Sequence, residues 1–303
     1  MRTSFIDTLV TLAEKDEHIW LLCGDLGYSV LEKFASRFPD RFINAGVAEQ
    51  NMTGVAAGLA LTGKTVFIYS IANFPIMRCY EQLRNDICYH NLNVKIVAVG
   101  GGLAYGTHGY SHQAVEDLAV MRVLPNMTVL APGDPLEACA IARLAIETPG
   151  PCYIRLGKSG ELKIHRQQPH VEIGKSIIMR KGRKTTLIST GGILAMTMAA
   201  AEELVKQGNA PTVISMPCLW PIDSQAIISA ARRGDRIITI EEHGLGGLGS
   251  MVAEVLATSG ISTSFKSLHL QREPMDITGS QEYLLAHHGL TIKSIVVATT
   301  EAS

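Results

Sequence analysis

Short β-rich runs alternate with helix-patterned stretches along nearly the whole chain, and that alternation leaves few architectures open. The runs are His18 to Cys23, Thr65 to Ser70, Val94 to Val99, Thr128 to Ala131, Thr185 to Ser189, Thr212 to Ser215, Arg236 to Ile240 and Ser294 to Ala298. Helical patterns fall between them at Val115 to Val123, Leu136 to Glu147, Ile193 to Gln207, Ser224 to Arg233 and Ser250 to Thr258. Strands separated by helices pair side by side in parallel, so the pattern predicts α/β architecture with mainly parallel sheets flanked by helices. The stretch KIHRQQPHV, from Lys163 to Val171, is polar, carries a proline and has neither period, which makes it the natural boundary. Two domains are expected, 1–165 and 171–303, and 303 residues suits two at about 150 each.

Composition narrows the function classes. Lys and Arg number 27 against 28 Asp and Glu, with no basic run, so a nucleic-acid partner is not expected. No apolar stretch approaches the roughly 18 residues of a membrane span, and Met1-Arg2-Thr3-Ser4 leads into an amphipathic segment rather than a signal peptide. A soluble, cytoplasmic protein is the expectation. The six cysteines, at 23, 79, 88, 139, 152 and 218, form no C-x-x-C pair and sit mostly in apolar runs, as buried free thiols do. Charged residues are only 18% of the chain, below the roughly 25% usual for soluble domains, which points to surface hidden in an assembly.

Open α/β sheets bind ligands where strands end at their carboxyl edge. Four loops qualify in the first domain: Gly24-Asp25-Leu26-Gly27, Asn44 to Asn51, Ser70 to Arg78 and Gly100 to Gln113. Glu49 sits in an apolar, glycine- and alanine-rich stretch where an unpaired carboxylate is costly. It is either a carboxylate facing the free N–H groups of a helix's first turn or a buried acid that shares a proton with a ligand. His108 and His112 lie in GGGLAYGTHGYSHQ, whose glycines argue against a helix and hence against a metal pair at i, i+4. An acid/base or substrate contact and simple loop solvation both stay open for them. Arg155 follows a β-rich run, where an arginine grips a phosphate or carboxylate through its planar fork or forms a structural ion pair. His243 to Gly249 contains G-x-G-x-x-G between strand and helix, but the following strand reads SFKSLHL and ends without the acidic residue a dinucleotide site uses. Glu202 and Lys206, at helical spacing, read as a solvated face.

Taken together, GDL at 24–26, AGVAEQNMTGVAAGLALTG at 45–63, RCYEQLRNDI at 78–87, GYSHQAVEDLAVMRVLPNMTVLAPGDP at 109–135, YIRLG at 153–157 and IEEHGLGGLGS at 240–250 resemble the C-terminal half of transketolases. The resemblance spans essentially the whole chain. It implies a pyrimidine-binding domain followed by a transketolase C-terminal domain, and thiamine diphosphate as cofactor. The Gly-Asp-Gly motif on which the family builds its diphosphate and Mg²⁺ site does not occur here, since Gly133-Asp134 runs into Pro135 and Gly234-Asp235 into Arg236. The chain therefore resembles the C-terminal subunit of a split transketolase. A separate N-terminal subunit would carry the diphosphate and Mg²⁺, this chain holding no metal itself, and the expected assembly is an α₂β₂ heterotetramer around a two-fold axis.

The resemblance also assigns roles. Glu49 matches the glutamate that hydrogen-bonds the pyrimidine ring nitrogen and drives its imino tautomer. Phe74 matches the ring that stacks on the pyrimidine, with Ile71 where related chains often carry a further aromatic. Asp25 matches an active-site position, counted with both cofactor and substrate. His112, in S-H-Q, matches the histidine that contacts a substrate oxygen or assists proton transfer, and Arg155 an arginine that holds the acceptor phosphate. His108 stands where many transketolases have Asp, so an imidazole replaces an acceptor-only carboxylate beside a substrate hydroxyl. The implied reaction moves a two-carbon ketol unit from a ketose, phosphorylated and of unusual kind, to an aldose. The β subunit of a 2-oxo acid dehydrogenase, a deoxyxylulose-phosphate-synthase-like enzyme and a non-catalytic scaffold are the alternatives.

Overall fold

Strands β3 (Thr65–Ile71) and β4 (Val94–Val99) are buried almost end to end, the mark of parallel strands covered on both faces. In the computed structural model, which describes residues 1–271 and 276–300, they form the middle of a seven-stranded sheet. Its other strands are β1 (Ile19–Cys23), β2 (Phe42–Asn44), β5 (Thr128–Leu130), β6 (Cys152–Leu156) and β10 (Cys218–Trp220), in the order β10-β5-β6-β4-β3-β1-β2. Its helices are α1 (Arg2–Ala13), α2 (Glu32–Arg37), α3 (Glu49–Leu61), α4 (Phe74–Met77), α5 (Tyr80–Gln82), α6 (Asp117–Arg122) and α7 (Pro135–Glu147). Alternate residues of the central strands feed two cores. Val66, Ile68 and Ile96 face Met52 and Ala56 of α3, whereas Phe67, Tyr69 and Val97 join Phe5 and Leu9 of α1 and Ile141 of α7.

The second sheet holds β7 (Ile177–Arg180), β8 (Thr185–Ser189), β9 (Thr212–Ser215), β11 (Arg236–Ile240) and β12 (Phe265–Leu268), ordered β12-β11-β8-β9-β7. Only β7, at an edge, runs antiparallel. Around it lie α8 (Leu194–Lys206), α9 (Ser224–Arg232), α10 (Leu248–Ser259), α11 (Gln281–His287) and α12 (Ile292–Thr300). Both halves are thus α/β with mostly parallel sheets, as the alternation implies. The halves also share structure: β10, from the second half of the chain, pairs antiparallel with β5 of the first sheet.

One expected strand is a helix. Ser294 to Ala298 reads as a β-branched apolar run, but it lies inside α12, where Ile295 and Ala298, three residues apart, are the buried pair. The Thr291 hydroxyl accepts from Ser294 N–H at 3.0 Å, opening the helix, while Val297 remains 38% exposed. One-sided burial at a spacing of three suits a helix and not a strand.

The glycine motif after β11 is filled by the chain itself. Glu241 accepts hydrogen bonds from Leu248 N–H at 2.6 Å and Gly249 N–H at 2.7 Å, so a carboxylate already occupies the anion seat at the α10 N-terminus. Gly249 is required by packing, because a Cβ there would strike the Ser267 hydroxyl. Burial pushes the Glu241 carboxyl up to about 7 against the pull of those two N–H donors. All six cysteines are free thiols, five of them buried. Among the described residues no helix is long and apolar enough to cross a membrane, and no group of three or more His, Cys, Asp or Glu could hold a metal ion.

Candidate functional site

The carboxyl edge of the first sheet brings the four strand-end loops together. Glu49 opens α3 directly below this edge, and its side chain is 2% exposed. Its Oε2 accepts from Arg78 Nη1 at 2.9 Å, and its Oε1 lies 3.5 Å from the Ser70 hydroxyl at the end of β3. Gly24, after β1, lies beside the carboxylate: a Cβ there would be in ordinary contact with Glu49 Oε1 at 3.5 Å. Of the two sequence readings for Glu49, contact with first-turn N–H groups is not how its oxygens are used; that role belongs to Glu241.

Arg78 also stacks on Phe74, its Cζ 3.8 Å from the ring centroid. One guanidinium therefore lies between a buried carboxylate and an aromatic face. Ile71, half-buried, ends β3 three residues before Phe74. Asp25 has a left-handed backbone at φ 56° and is braced by Asn44, which donates Nδ2 to Asp25 Oδ1 at 3.0 Å and accepts from Asp25 N–H at 3.0 Å.

The glycine-rich loop after β4 supplies the imidazoles. His112 meets the Phe74 ring edge-on, centroids 5.2 Å apart, and His108 lies 5.1 Å from His112. Tyr105 closes the group, 5.6 Å from His108 and 6.4 Å from His112. Asn73 Nδ2 donates to Ser111 C=O at 3.1 Å, tying the loop that carries Phe74 to the one that carries His112. Burial holds the His112 pKa below the usual histidine value, helped by the neighbouring charges of His108 and Arg78. A neutral imidazole near pH 7 can both accept and donate a hydrogen bond.

Arg155 stands apart from this group. It is 5% exposed, and its Nε donates to Asp117 Oδ2 at 2.8 Å while Nη2 donates to Ala114 C=O at 2.8 Å and Glu242 C=O at 2.9 Å. Through Nε and Nη2 these contacts make a structural ion pair, one of the two readings open for Arg155 from its sequence position. A Cβ at Gly101 would strike the Arg155 side chain, and one at Gly102 (φ 66°) would come within 2.6 Å of the Glu242 carboxyl carbon. Leu103 N–H donates to Glu242 Oε1 at 2.7 Å. Arg155 and Glu242 thus moor the root of the loop that bears His108 and His112, so that loop is fixed by both domains at once.

Three residues of the site carry no role from sequence reasoning. Arg78 stands in the quoted RCYEQLRNDI, but its pairing with Glu49, 29 residues away, is tertiary. Tyr105 is one apolar letter in a glycine loop. Lys158, two residues beyond β6, places Nζ 4.8 Å from the centroid of Tyr105, the ring that also meets His108 and His112. Its sequence signal is a cation just past a strand end.

Comparison with known proteins identifies two family domains in the chain. The transketolase pyrimidine-binding domain model matches residues 1–160, and the transketolase C-terminal domain model matches residues 174–295. A subunit of the apulose-4-phosphate transketolase of Actinobacillus succinogenes is 36% identical over 264 residues, covering 87% of this chain and 85% of that protein. The 6-deoxy-6-sulfo-D-fructose transketolase subunit SqwH of a Clostridium species is 34% identical over 305 residues, covering 100% and 94%. Among solved structures, a split-gene transketolase described as an inactive β4 tetramer superposes with a TM-score of 0.88 at 40% identity, covering 98% of this chain and 96% of that one.

Proposed function

The chain belongs to the transketolase family, and from that premise we propose that it is the C-terminal subunit of a two-subunit, thiamine-diphosphate-dependent transketolase. Its reaction is transfer of a two-carbon ketol unit from an anionic ketose to an aldose. One observation carries this reading: a flat, N–H-bearing group is held between the buried Glu49 carboxylate and the Phe74 ring. An aminopyrimidine offers the same two features, a planar face for an aromatic partner and a nitrogen edge for a carboxylate. The residues present therefore fit the cofactor's ring. When bound, thiamine diphosphate supplies the carbon nucleophile that allows the bond beside a ketose carbonyl to break.

The chain's own groups have separable tasks. Glu49 holds the ring nitrogen and a proton on it, Phe74 supports the ring face, and Ile71 and Asp25 border the pocket. His112 exchanges hydrogen bonds with a substrate oxygen, and His108 meets a substrate hydroxyl. Arg155 being committed to Asp117 and to two carbonyls, Lys158 is the cation that meets the substrate's anionic end. The names of two relatives, for a sugar phosphate and a sulfonated sugar, support an anionic ketose.

In this reading the diphosphate and Mg²⁺ are seated by an N-terminal subunit, since this sequence carries no Gly-Asp-Gly motif. Both of these relatives are themselves named as transketolase subunits, and together with the split-gene structure they support that reading. An α₂β₂ assembly would cover the outer face of α3, where Gly54 and Gly58 meet nothing within 4 Å and Leu61 is 70% exposed. The test is reconstitution. With thiamine diphosphate and Mg²⁺, this chain alone should show no ketol transfer, and addition of the cognate N-terminal subunit should restore it. Turnover by the isolated chain would overturn the two-subunit reading, and a mixed complex with no ketol transfer from any ketose would overturn the activity.

A further inference from the structure

We propose that Arg78 is a resident plug of the cofactor pocket: in the unassembled chain its guanidinium fills the place of the aminopyrimidine between Glu49 and Phe74, and it swings out when the cofactor enters. The proposal rests on the reading of Glu49 and Phe74 as pyrimidine-binding residues.

Both recognition elements are taken by one side chain. With Cζ 3.8 Å from the Phe74 centroid, the guanidinium is in stacking contact and leaves no space for a second flat group on that face. With Nη1 2.9 Å from Glu49 Oε2, it also holds one carboxylate oxygen. The other oxygen lies 3.5 Å from the Ser70 hydroxyl. A pyrimidine cannot meet Glu49 and Phe74 together until Arg78 leaves.

The two partners differ in freedom. Glu49 is 2% exposed at the start of a thirteen-residue helix, whereas Arg78 is 43% exposed just past the four-residue α4. Arg78 has ordinary helical backbone angles, φ −74° and ψ −25°, so rotation of its side chain into solvent needs no backbone change. A carboxylate this deep is costly without a compensating charge, and the plug supplies one until the cofactor's ring nitrogen takes over the contact. Displacement subtracts from cofactor affinity in proportion to how fully the plug is seated, since a site open one tenth of the time binds ten-fold more weakly.

The test titrates the isolated chain with the cofactor's pyrimidine portion alone, 4-amino-5-hydroxymethyl-2-methylpyrimidine, by calorimetry. Arg78→Ala is expected to bind it at least ~10-fold more tightly than wild type. Arg78→Lys, which keeps the charge but loses the flat fork, is expected to fall between them, and it carries the test if the alanine variant does not fold. Equal affinity in wild type and variants, weaker binding by the variants, or no binding by any of them would overturn the plug. A parallel titration of the two-subunit complex with thiamine diphosphate separates this from the underlying reading. If Glu49→Gln weakens cofactor binding there while Arg78 variants change nothing in the isolated chain, only the plug fails. If Glu49→Gln leaves cofactor affinity unchanged, the pyrimidine reading fails and takes the plug with it.

Discussion

Arg155 and Asp117 form an ion pair sealed from solvent, Nε to Oδ2 at 2.8 Å, with side chains 5% and 1% exposed. The Tyr153 hydroxyl donates to the same Oδ2 at 2.6 Å, and Arg155 also reaches the Glu242 carbonyl of the second domain. Burial opposes the arginine's charge, but Asp117, Tyr153 and Glu242 outweigh it and hold its pKa above the ordinary value. The pair fastens β6, the glycine loop and the second domain to one another behind the histidines.

Removing one member of such a pair leaves the other buried and uncompensated, at a cost of about 3–5 kcal/mol. Arg155→Met should therefore lower the melting temperature sharply. Lys158→Ala should leave it within ~2 °C of wild type, since that side chain forms no buried ion pair among the described residues, while raising KM for phosphorylated substrates by about ten-fold, as loss of one charge-assisted hydrogen bond implies. Melting curves and substrate kinetics on both variants check this. A stable Arg155→Met enzyme with a selectively raised KM would return the phosphate role to Arg155.

Glu49→Gln keeps shape and a hydrogen-bonding edge but cannot carry the negative charge or hold a proton as a carboxyl does. In the assembled enzyme it should reduce kcat by at least ~10²-fold, the scale of a lost proton-transfer group, with little change in melting temperature. Deuterium exchange at the cofactor's C2 position, followed by NMR in the complex, reads the same step without substrate. Exchange at the wild-type rate would show that a different acid acts on the ring.

The sheets were legible because buried parallel strands announce themselves as unbroken apolar runs: β4, β8, β9 and β11 fall where Val94–Val99, Thr185–Ser189, Thr212–Ser215 and Arg236–Ile240 read as strands. Edge strands β2 and β10 have three residues each, too few to show a period, and β10 joins a sheet whose other strands lie far upstream. That Glu49, His108 and His112 come together was legible for a related reason, as they stand at strand ends that parallel topology brings to one edge, whereas Phe74 was placed by the resemblance. Which partners Arg155 and Arg78 take was not legible. Strand-end position suggests a ligand, but the partners that decide, Asp117 at 38 residues' distance and Glu49 at 29, appear only once the chain is folded.

A second buried polar cluster sits at the domain boundary and gives a pH dependence with a definite sign. His165 Nδ1 lies 3.2 Å from Asp134 Oδ2 and Nε2 3.6 Å from Glu137 Oε1, and Glu137 in turn accepts from the Ser215 hydroxyl of β9 at 2.7 Å. Burial works against the imidazolium, but the Asp134 hydrogen bond and the charges of Glu137 and Asp134 outweigh it and raise the His165 pKa. A raised folded-state value means the stabilisation is fully present below the unfolded value of about 6.5 and is lost as pH rises through the folded one. Wild type should therefore lose melting temperature relative to His165→Gln as pH increases from 6 through the mildly alkaline range. Parallel melting-temperature profiles for the two proteins would contradict the charged form of this contact.

If His108 meets substrate as proposed, it should set both specificity and the acid limb of the pH profile. Its ring stands 5.1 Å from His112 and edge-on to Tyr105, and it can donate or accept where a carboxylate only accepts. A site built on such contacts rejects a substrate that leaves its groups unpaired. Xylulose 5-phosphate with ribose 5-phosphate should accordingly be a poor pair for the wild-type enzyme, and His108→Asp should shift kcat/KM toward it, while Lys206→Ala, on an exposed helix face, should not. The same substitution has an electrostatic consequence. His112 is held low first by burial and then by the charges of His108 and Arg78. Replacing His108 with a carboxylate removes one repulsion and adds an attraction, so the His112 pKa must rise. The acid limb of kcat/KM should move to higher pH in His108→Asp, with wild type active further into the acid range. Unchanged ketose preference together with an unchanged acid limb would show that His108 neither meets substrate nor tunes His112.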